Sequence, residues 1–268
     1  MNRAMIASSV TLGQLQHKLD TVANNLANLN TNGFKRRETS FSDLLVQQMN
    51  NLPRADETRL TPLGIRSGTG AAVAGTTLRL EQGTIKRTDR MLDLALTEPQ
   101  YFFQVLHNGE TQYTRDGAFY FSESRPGFLN IVTGDGAYLL GTNGPIEIPM
   151  NYKSVTIRSD GQIEVTLQND TTYNAGQLAL ANVHRPQYLQ AIGHNRFAGP
   201  NENSGIVLAD VLETVNGVQV VSQGVLEMSN VDLAHEMNSM IEMQRHFQLS
   251  ARSLTIADEM MGLVNRIR

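Results

Sequence analysis

The chain has 268 residues, 40% of them hydrophobic, which is room for one large domain or two ordinary ones with a packed core. Its formal charge of -4 argues against a general nucleic-acid binder, which normally shows a strong basic excess. Cysteine is absent, so disulfide frameworks, thiolate metal sites and cysteine nucleophiles are excluded.

The first ten residues carry no charged region followed by a long apolar run, and Ser8, Ser9, Thr11 and Gln14 interrupt what apolar character there is. A conventional secretory signal is therefore not expected, and no stretch is long enough to span a membrane. The predicted first helix runs from about Ala4 to Asn28. Within it Leu12, Leu15, Leu19, Val22, Leu26 and, just beyond, Leu29 fall at alternating spacings of three and four, the seam of a helix that wraps around others. Asn24, Asn25, Asn28 and Asn30 weaken its second half, because asparagine competes for backbone hydrogen bonds. Asn32-Gly33 supplies a left-handed stop. The basic run Lys35-Arg36-Arg37 has no interleaved aromatics and reads as a solvated connector.

From Phe34 to about Gly70 the sequence is mixed: a short apolar patch, Phe41 to Val46, then a polar stretch with Pro53 and Pro62. This reads as a connector with one helical turn. Between about Ala71 and Ser204 the period changes to two. Tyr101 to Leu106 is a predicted strand ending at Asn108-Gly109, and Asp116-Gly117, Asp135-Gly136, Asn143-Gly144 and Asp160-Gly161 punctuate further short β-prone runs. Such dipeptides are the strongest short hairpin signals, since type I′ turns need positive φ. The clearest hairpin joins Val155–Ile157 to Ile163–Leu167. Another is expected at Asn216-Gly217, between Val211–Val215 and Val218–Val221. The middle is thus an antiparallel β domain, sandwich-like or barrel-like.

The last helix is predicted from a Ser229 cap, with Asp232 beside the free N–H groups and Met228 stapling onto Leu233, to about Ile267. Leu233 and Met237 lead into Met240, Phe247, Leu254 and Met261, which recur every seven residues. A second line, Leu249, Ile256, Met260, Leu263 and Ile267, widens the apolar face beyond a two-helix seam. The fold class is therefore α+β: helices at both ends forming a coiled-coil-like layer, around a central antiparallel β domain.

Enzyme signatures come close and fail. His235-Glu236 begins a zinc-protease motif, but Ser239 stands where the second histidine belongs and His246 is too far on. Gly68, Gly70 and Gly75 resemble a dinucleotide loop, yet Val73 occupies the third glycine position. Asp89 and Asp93, flanked by Arg87 and Arg90, read as a surface salt-bridge cluster. His184 and His194 lack metal-ligand spacing. No catalytic, cofactor or metal site is expected, and no small-molecule substrate or nucleic acid.

At Ala23-Asn24-Asn25-Leu26-Ala27-Asn28-Leu29-Asn30-Thr31-Asn32-Gly33-Phe34-Lys35 the sequence resembles the signature of the bacterial flagellar rod and hook (axial) proteins. Ser229-Asn230-Val231-Asp232-Leu233, with Glu236-Met237, Met240-Ile241, Gln244-Arg245 and Asp258-Glu259-Met260, is similar to that family's C-terminal signature. In the middle, Leu92-Asp93-Leu94-Ala95, Phe102-Phe103-Gln104-Val105 and Tyr113-Thr114-Arg115-Asp116-Gly117-Ala118-Phe119 also resemble it. The length favours a rod protein over the longer hook proteins, with the distal rod as the closest match.

The resemblance implies a structural, non-enzymatic subunit of the basal body, outside the cytoplasmic membrane, that polymerises into the tubular drive shaft transmitting torque to the hook. It implies a helical assembly domain from 1–32 and 227–268, connecting segments 33–70 and 205–226, and a β domain over 71–204. The implied partners are copies of itself, neighbouring rod and hook-side axial proteins, and the flagellar type III export apparatus, reached without a cleaved signal peptide. Asn24, Asn25, Asn28, Thr31, Gly33 and Phe34 carry the family motif, and Phe41 with Leu45 resembles its export motif. The competing expectation is a tail-like or adhesin binding module with a trimeric coiled coil, which does not need heptads at both ends.

Overall fold

The computed structural model describes residues 2–43, 46–49, 65–68, 71–200 and 205–267. They fall into two compact units: Met1–Leu26 with Arg37–Thr77 and Leu233–Arg268, and Ala27–Arg36 with Leu78–Asp232.

In the first unit, helix α1 spans Asn2–Ala27. It buries Leu15, Val22 and Asn25, the first two one heptad apart. Thr11 and Thr21 turn their hydroxyls back onto the carbonyls of Ala7 and His17, the local bond that lets a polar β-branched residue sit inside a helix. The segment after α1 is a strand, Arg37–Asp43, paired with Ala71–Leu78, and not the expected helical turn. Thr39 alternates inward and its hydroxyl donates to that of Thr21 at 3.0 Å. Ser40 and Thr77 bond across to the carbonyls of Gly75 and Glu38. From Arg37 to Ser40 the more buried and the exposed side chains alternate with period two, which a helix would scramble. A second ribbon pairs Val46–Met49 with Ile65–Gly68.

In the second unit one sheet runs in the order Glu147–Pro149, Phe128–Thr133, Tyr138–Gly141, Tyr101–His107, Glu110–Thr114, Arg196–Ala198, Gln190–Gly193. A smaller three-stranded sheet comprises Tyr152–Ile157, Gln162–Leu167 and Thr172–Gln177. The hairpins at Asn108-Gly109 and Asp160-Gly161 form as the sequence predicts, and φ is positive at both Asn108 and Gly109. Val155, Ile157, Ile163 and Val165 from the small sheet join Phe103, Phe119, Ile131, Leu139 and Ile148 in one core. Successive side chains on a strand point to opposite faces. Phe103 therefore enters that core, edge-on to Phe119 at 5.3 Å, while Phe102 turns into a second cluster and meets Phe197 at 5.8 Å.

The hairpin expected at Asn216-Gly217 does not form. Leu212–Val215, which follows a single helical turn, α2, at Leu208–Val211, pairs with Leu180–Val183; beyond the turn Val221–Gln223 pairs with Leu94–Leu96. Each half finds a better-buried partner than its neighbour in sequence. The next strand, Val225–Glu227, pairs with Ile85–Arg87. Helix α3, Leu233–Ile267, starts later than its predicted cap. The Ser229 hydroxyl instead accepts the Val231 N–H at 3.3 Å, and Asp232 is the residue before the first turn.

Phe103→Ala removes a fully buried ring from the joint between the two sheets. It is expected to lower the unfolding free energy by about 3–5 kcal/mol, read from the urea midpoint of the β unit.

Candidate functional site

Three ionised side chains from distant parts of the chain meet inside the second unit. Glu227 closes the strand that leads toward α3, Lys35 follows the turn that leaves α1, and Arg115 ends the strand Glu110–Thr114. Lys35 Nζ lies 2.6 Å from Glu227 Oε1 and Arg115 Nε lies 2.6 Å from Glu227 Oε2, with all three side chains no more than 1% exposed.

Two cations against one anion leave an excess positive charge, and main-chain carbonyls absorb it. Lys35 Nζ donates to the carbonyls of Glu81 at 2.8 Å and Leu80 at 3.4 Å. Arg115 donates from its two terminal nitrogens to the carbonyls of Tyr101 and Leu96. Glu227 is equally saturated: Oε1 also accepts the Gly83 N–H at 2.9 Å, and its main-chain carbonyl accepts the Gly33 N–H at 2.7 Å. A buried charge is tolerated only when paired and hydrogen-bonded like this. Burial alone would raise the Glu227 pKa, but Arg115 and Lys35 together hold it below the ordinary carboxylate value. Burial pulls both cations down, with Glu227 opposing.

Around the triad the two helix exits are tied together. Asn230 accepts the Arg36 N–H on Oδ1 at 2.7 Å and donates from Nδ2 to the carbonyls of Arg79 and Glu81, both at 2.9 Å. Its own N–H reaches the Phe34 carbonyl, and the Arg79 N–H reaches that of Arg36. Asn195 Nδ2 donates to the Asn32 carbonyl at 2.8 Å. Gly33 makes this approach possible. Its φ is 64°, and a Cβ there would lie 2.4 Å from the Arg115 carbonyl oxygen.

The family-motif residues divide by role. Asn25, buried in the last turn of α1, copies a strand: Nδ2 donates to the Arg37 carbonyl at 2.9 Å and Oδ1 accepts the Arg37 N–H at 3.0 Å. Asn28 Oδ1 accepts the Thr31 hydroxyl, bracing the turn that ends at Gly33. Phe34 is buried and Asn24 lies on the exposed side.

Of the predicted seam, Leu15 and Val22 are buried, and Leu12, Leu19, Leu26, Leu29, Met240, Leu254 and Met261 are half-buried. Leu233, Met237 and Phe247 are exposed. The Phe41 side chain and all of Leu45 lie outside the described residues. Among the described residues no group of histidines and carboxylates has metal-binding geometry. Of the Asp89 and Asp93 pairs only Arg87–Asp89 is a surface ion pair; the Asp93 carboxylate is buried beside Arg90.

Lys35 is the main correction to the sequence reading. The basic run Lys35-Arg36-Arg37 is not a solvated connector, since Lys35 is among the most buried side chains of the molecule. No local pattern marks the triad: Lys35 closes the first motif region, Arg115 sits inside the middle one beside Asp116, and Glu227 lies two residues before the C-terminal one.

Three family models match the chain. Residues 7–35 match flagella basal body rod protein, 99–165 the flagellar hook protein FlgE/F/G D1 domain, and 222–267 the flagellar basal body rod FlgEFG protein C-terminal model. Each matched segment contributes one member of the triad. The chain is 39% identical to the flagellar hook-basal body complex protein FlhP of Bacillus subtilis, over 100% of both chains. It is 33% identical to the flagellar basal-body rod protein FlgG of Borreliella burgdorferi, over 100% of this chain and 99% of the relative. With FlgG of Caulobacter vibrioides the identity is 34%, over 99% of each.

Glu227→Ala strands two buried cations and is expected to cost about 3–5 kcal/mol in urea unfolding. The triad also gives acid sensitivity of a defined sign. Because the Glu227 pKa is depressed in the folded state, its contribution is present in full above the ordinary value of 4.5 and is lost as pH falls below it. Glu227→Gln should flatten this acid limb in urea midpoints measured between pH 7 and pH 2. Gly33→Ala should be destabilised by more than the ~1 kcal/mol that a positive φ costs alone, since its Cβ meets backbone.

Proposed function

Because the chain belongs to the flagellar basal-body rod protein family, we propose that it polymerises through its terminal helices into the tubular shaft that carries torque to the hook. The chain is a structural protein of the basal-body rod and not an enzyme. In this reading the two helices form the inner wall, packed among many copies, and the β domain faces outward. Its partners are copies of itself, neighbouring rod and hook-side axial proteins, and the type III export apparatus. Export without a cleaved signal peptide suits a chain that has no cysteine and so forms no disulfide to obstruct threading. Within the rod the distal segment is its proposed place.

The observation that carries this reading is the apolar surface of α3. Met237, Ile241, Phe247, Leu249, Ile256, Met260 and Leu263 are 39–61% exposed in the single chain. Exposed apolar side chains on two sides of a helix 35 residues long mark interaction surfaces, since a solitary soluble helix keeps its apolar face covered. Its two lines, wider than a two-helix seam, fit neighbours on more than one side. A lone subunit does not cover them, so before assembly its ends are expected to be poorly ordered while the β domain stays folded. Burial against neighbours then offsets the ordering entropy.

Two substitutions test the reading. Leu26→Asp and Met240→Asp should each abolish polymerisation of the purified protein and swimming of the cell, because burying an unpaired carboxylate in a helix seam costs several kcal/mol. The circular dichroism of the β domain should be unchanged. Normal motility with both variants would rule the helices out as the assembly surface.

A further inference from the structure

We propose that Glu227 is a positioning residue for assembly: it holds the exits of both terminal helices in place on the β domain before any neighbouring subunit arrives. The inference rests on the reading of the helices as assembly elements and adds where the boundary between order and disorder falls. That boundary lies at the helix ends proper, beyond a joint made of residues 27–36 and 226–232.

The joint and the helices are built with different strengths. In α3, among its described residues, only Glu236, Met243 and Ala257 are buried; in α1, only Leu15, Val22 and Asn25. The joint, by contrast, holds Lys35 and Glu227 fully buried with Arg115, their charges paired and tied to main chain. Glu227 bonds Lys35, Arg115, Gly83 and Gly33. Asn230 bonds Arg36, Arg79 and Glu81. All of these partners belong to the same compact unit as the β core. Opening free energies within one protein span from near zero to the global value, and densely bonded buried segments sit at the upper end.

A fixed joint does physical work during assembly. Nucleating a helix is its unfavourable step, because several residues must be fixed for the first hydrogen bond. The joint anchors α1 at its C-terminal end and α3 at its N-terminal end. Each helix can therefore propagate from a flanking segment that is already ordered. Preorganisation of this kind lowers the ordering cost charged to the association step.

Hydrogen exchange on the full-length monomer at neutral pH, followed by mass spectrometry and by light scattering of polymer growth, tests the proposal. Amides of Gly33, Arg36, Arg79, Gly83 and Asn230 should exchange as slowly as the core hairpin 154–166. Peptides from 5–20 and 240–262 should exchange roughly 100-fold faster. Glu227→Gln should speed the joint amides by about tenfold or more, consistent with loss of a buried charge partner, leave 154–166 protected and lengthen the lag before polymer growth. Asn230→Ala, which removes only main-chain tethers, should do the same to a smaller degree should Glu227→Gln unfold the domain. Joint amides that exchange at the helix rate in the unaltered protein, or variants with unchanged lag, overturn the positioning role alone. Helix peptides as protected as the core overturn the assembly-coupled reading beneath it.

Discussion

One carboxylate sets the frame of the molecule. Glu227 is the only anion in a fully buried cluster with two cations, and it reaches three parts of the chain that are far apart in sequence. Desolvating three charges is expensive, and ion networks of this kind contribute little net stability beside a hydrophobic substitute of equal volume. Their loss is costly all the same, because removing one member leaves the others buried without compensation. That asymmetry makes the triad a lock on geometry more than a source of stability. A chain that threaded Lys35 or Arg115 one residue out of register would strand a charge, whereas a slipped leucine would find another apolar neighbour.

The same joint explains why glycine recurs beside it. A Cβ on Gly33 would strike the Arg115 carbonyl, one on Gly83 would lie 2.0 Å from the Met228 carbonyl oxygen, and one on Gly117 would lie 1.6 Å from that of Leu94. At each place two backbones pass closer than any side chain permits. Close backbone passage is what brings the carbonyls of Tyr101, Leu96, Leu80 and Glu81 within reach of two buried cations. The glycines and the charges are parts of one solution: without the first the second would lack acceptors, and without the second the first would leave polar backbone unsatisfied.

Local patterns were legible in the sequence, and long-range pairings were not. Both terminal helices and the hairpins at Asn108-Gly109 and Asp160-Gly161 follow from periodicity and turn chemistry, which act over a few residues. Arg37–Asp43 does not read as a strand because Phe41 to Val46 looks apolar enough for a helical turn, and its partner, Ala71–Leu78, lies about thirty residues on. The turn at Asn216-Gly217 is real, with Gly217 at φ 75°, but the strands on either side are claimed by Leu180–Val183 and Leu94–Leu96. Lys35 reads as a solvated residue because nothing adjacent hints at burial, its partner being Glu227 near the other end. Asn25 shows the opposite case: its weakness as a helix former was visible, and the structure supplies the reason, a side chain that pairs with Arg37 as a strand would.

These observations place two kinds of interaction at opposite ends of the same short segments. Helix α3 begins one residue beyond Asp232, where polar, directional bonds to main chain give way to an apolar face with little of its own to pack against. Directional bonds fix position and tolerate no slip; apolar faces supply free energy and accept any partner of suitable shape. On the proposed reading, in which the subunit is threaded out and added to a growing end, keeping the two apart is an advantage. In that reading the polar joint fixes where α1 ends and α3 begins, and the apolar seam selects what the helices bind. In the proposed polymer, charges placed in the seam instead would be desolvated at every subunit interface, at a cost repeated along the whole shaft.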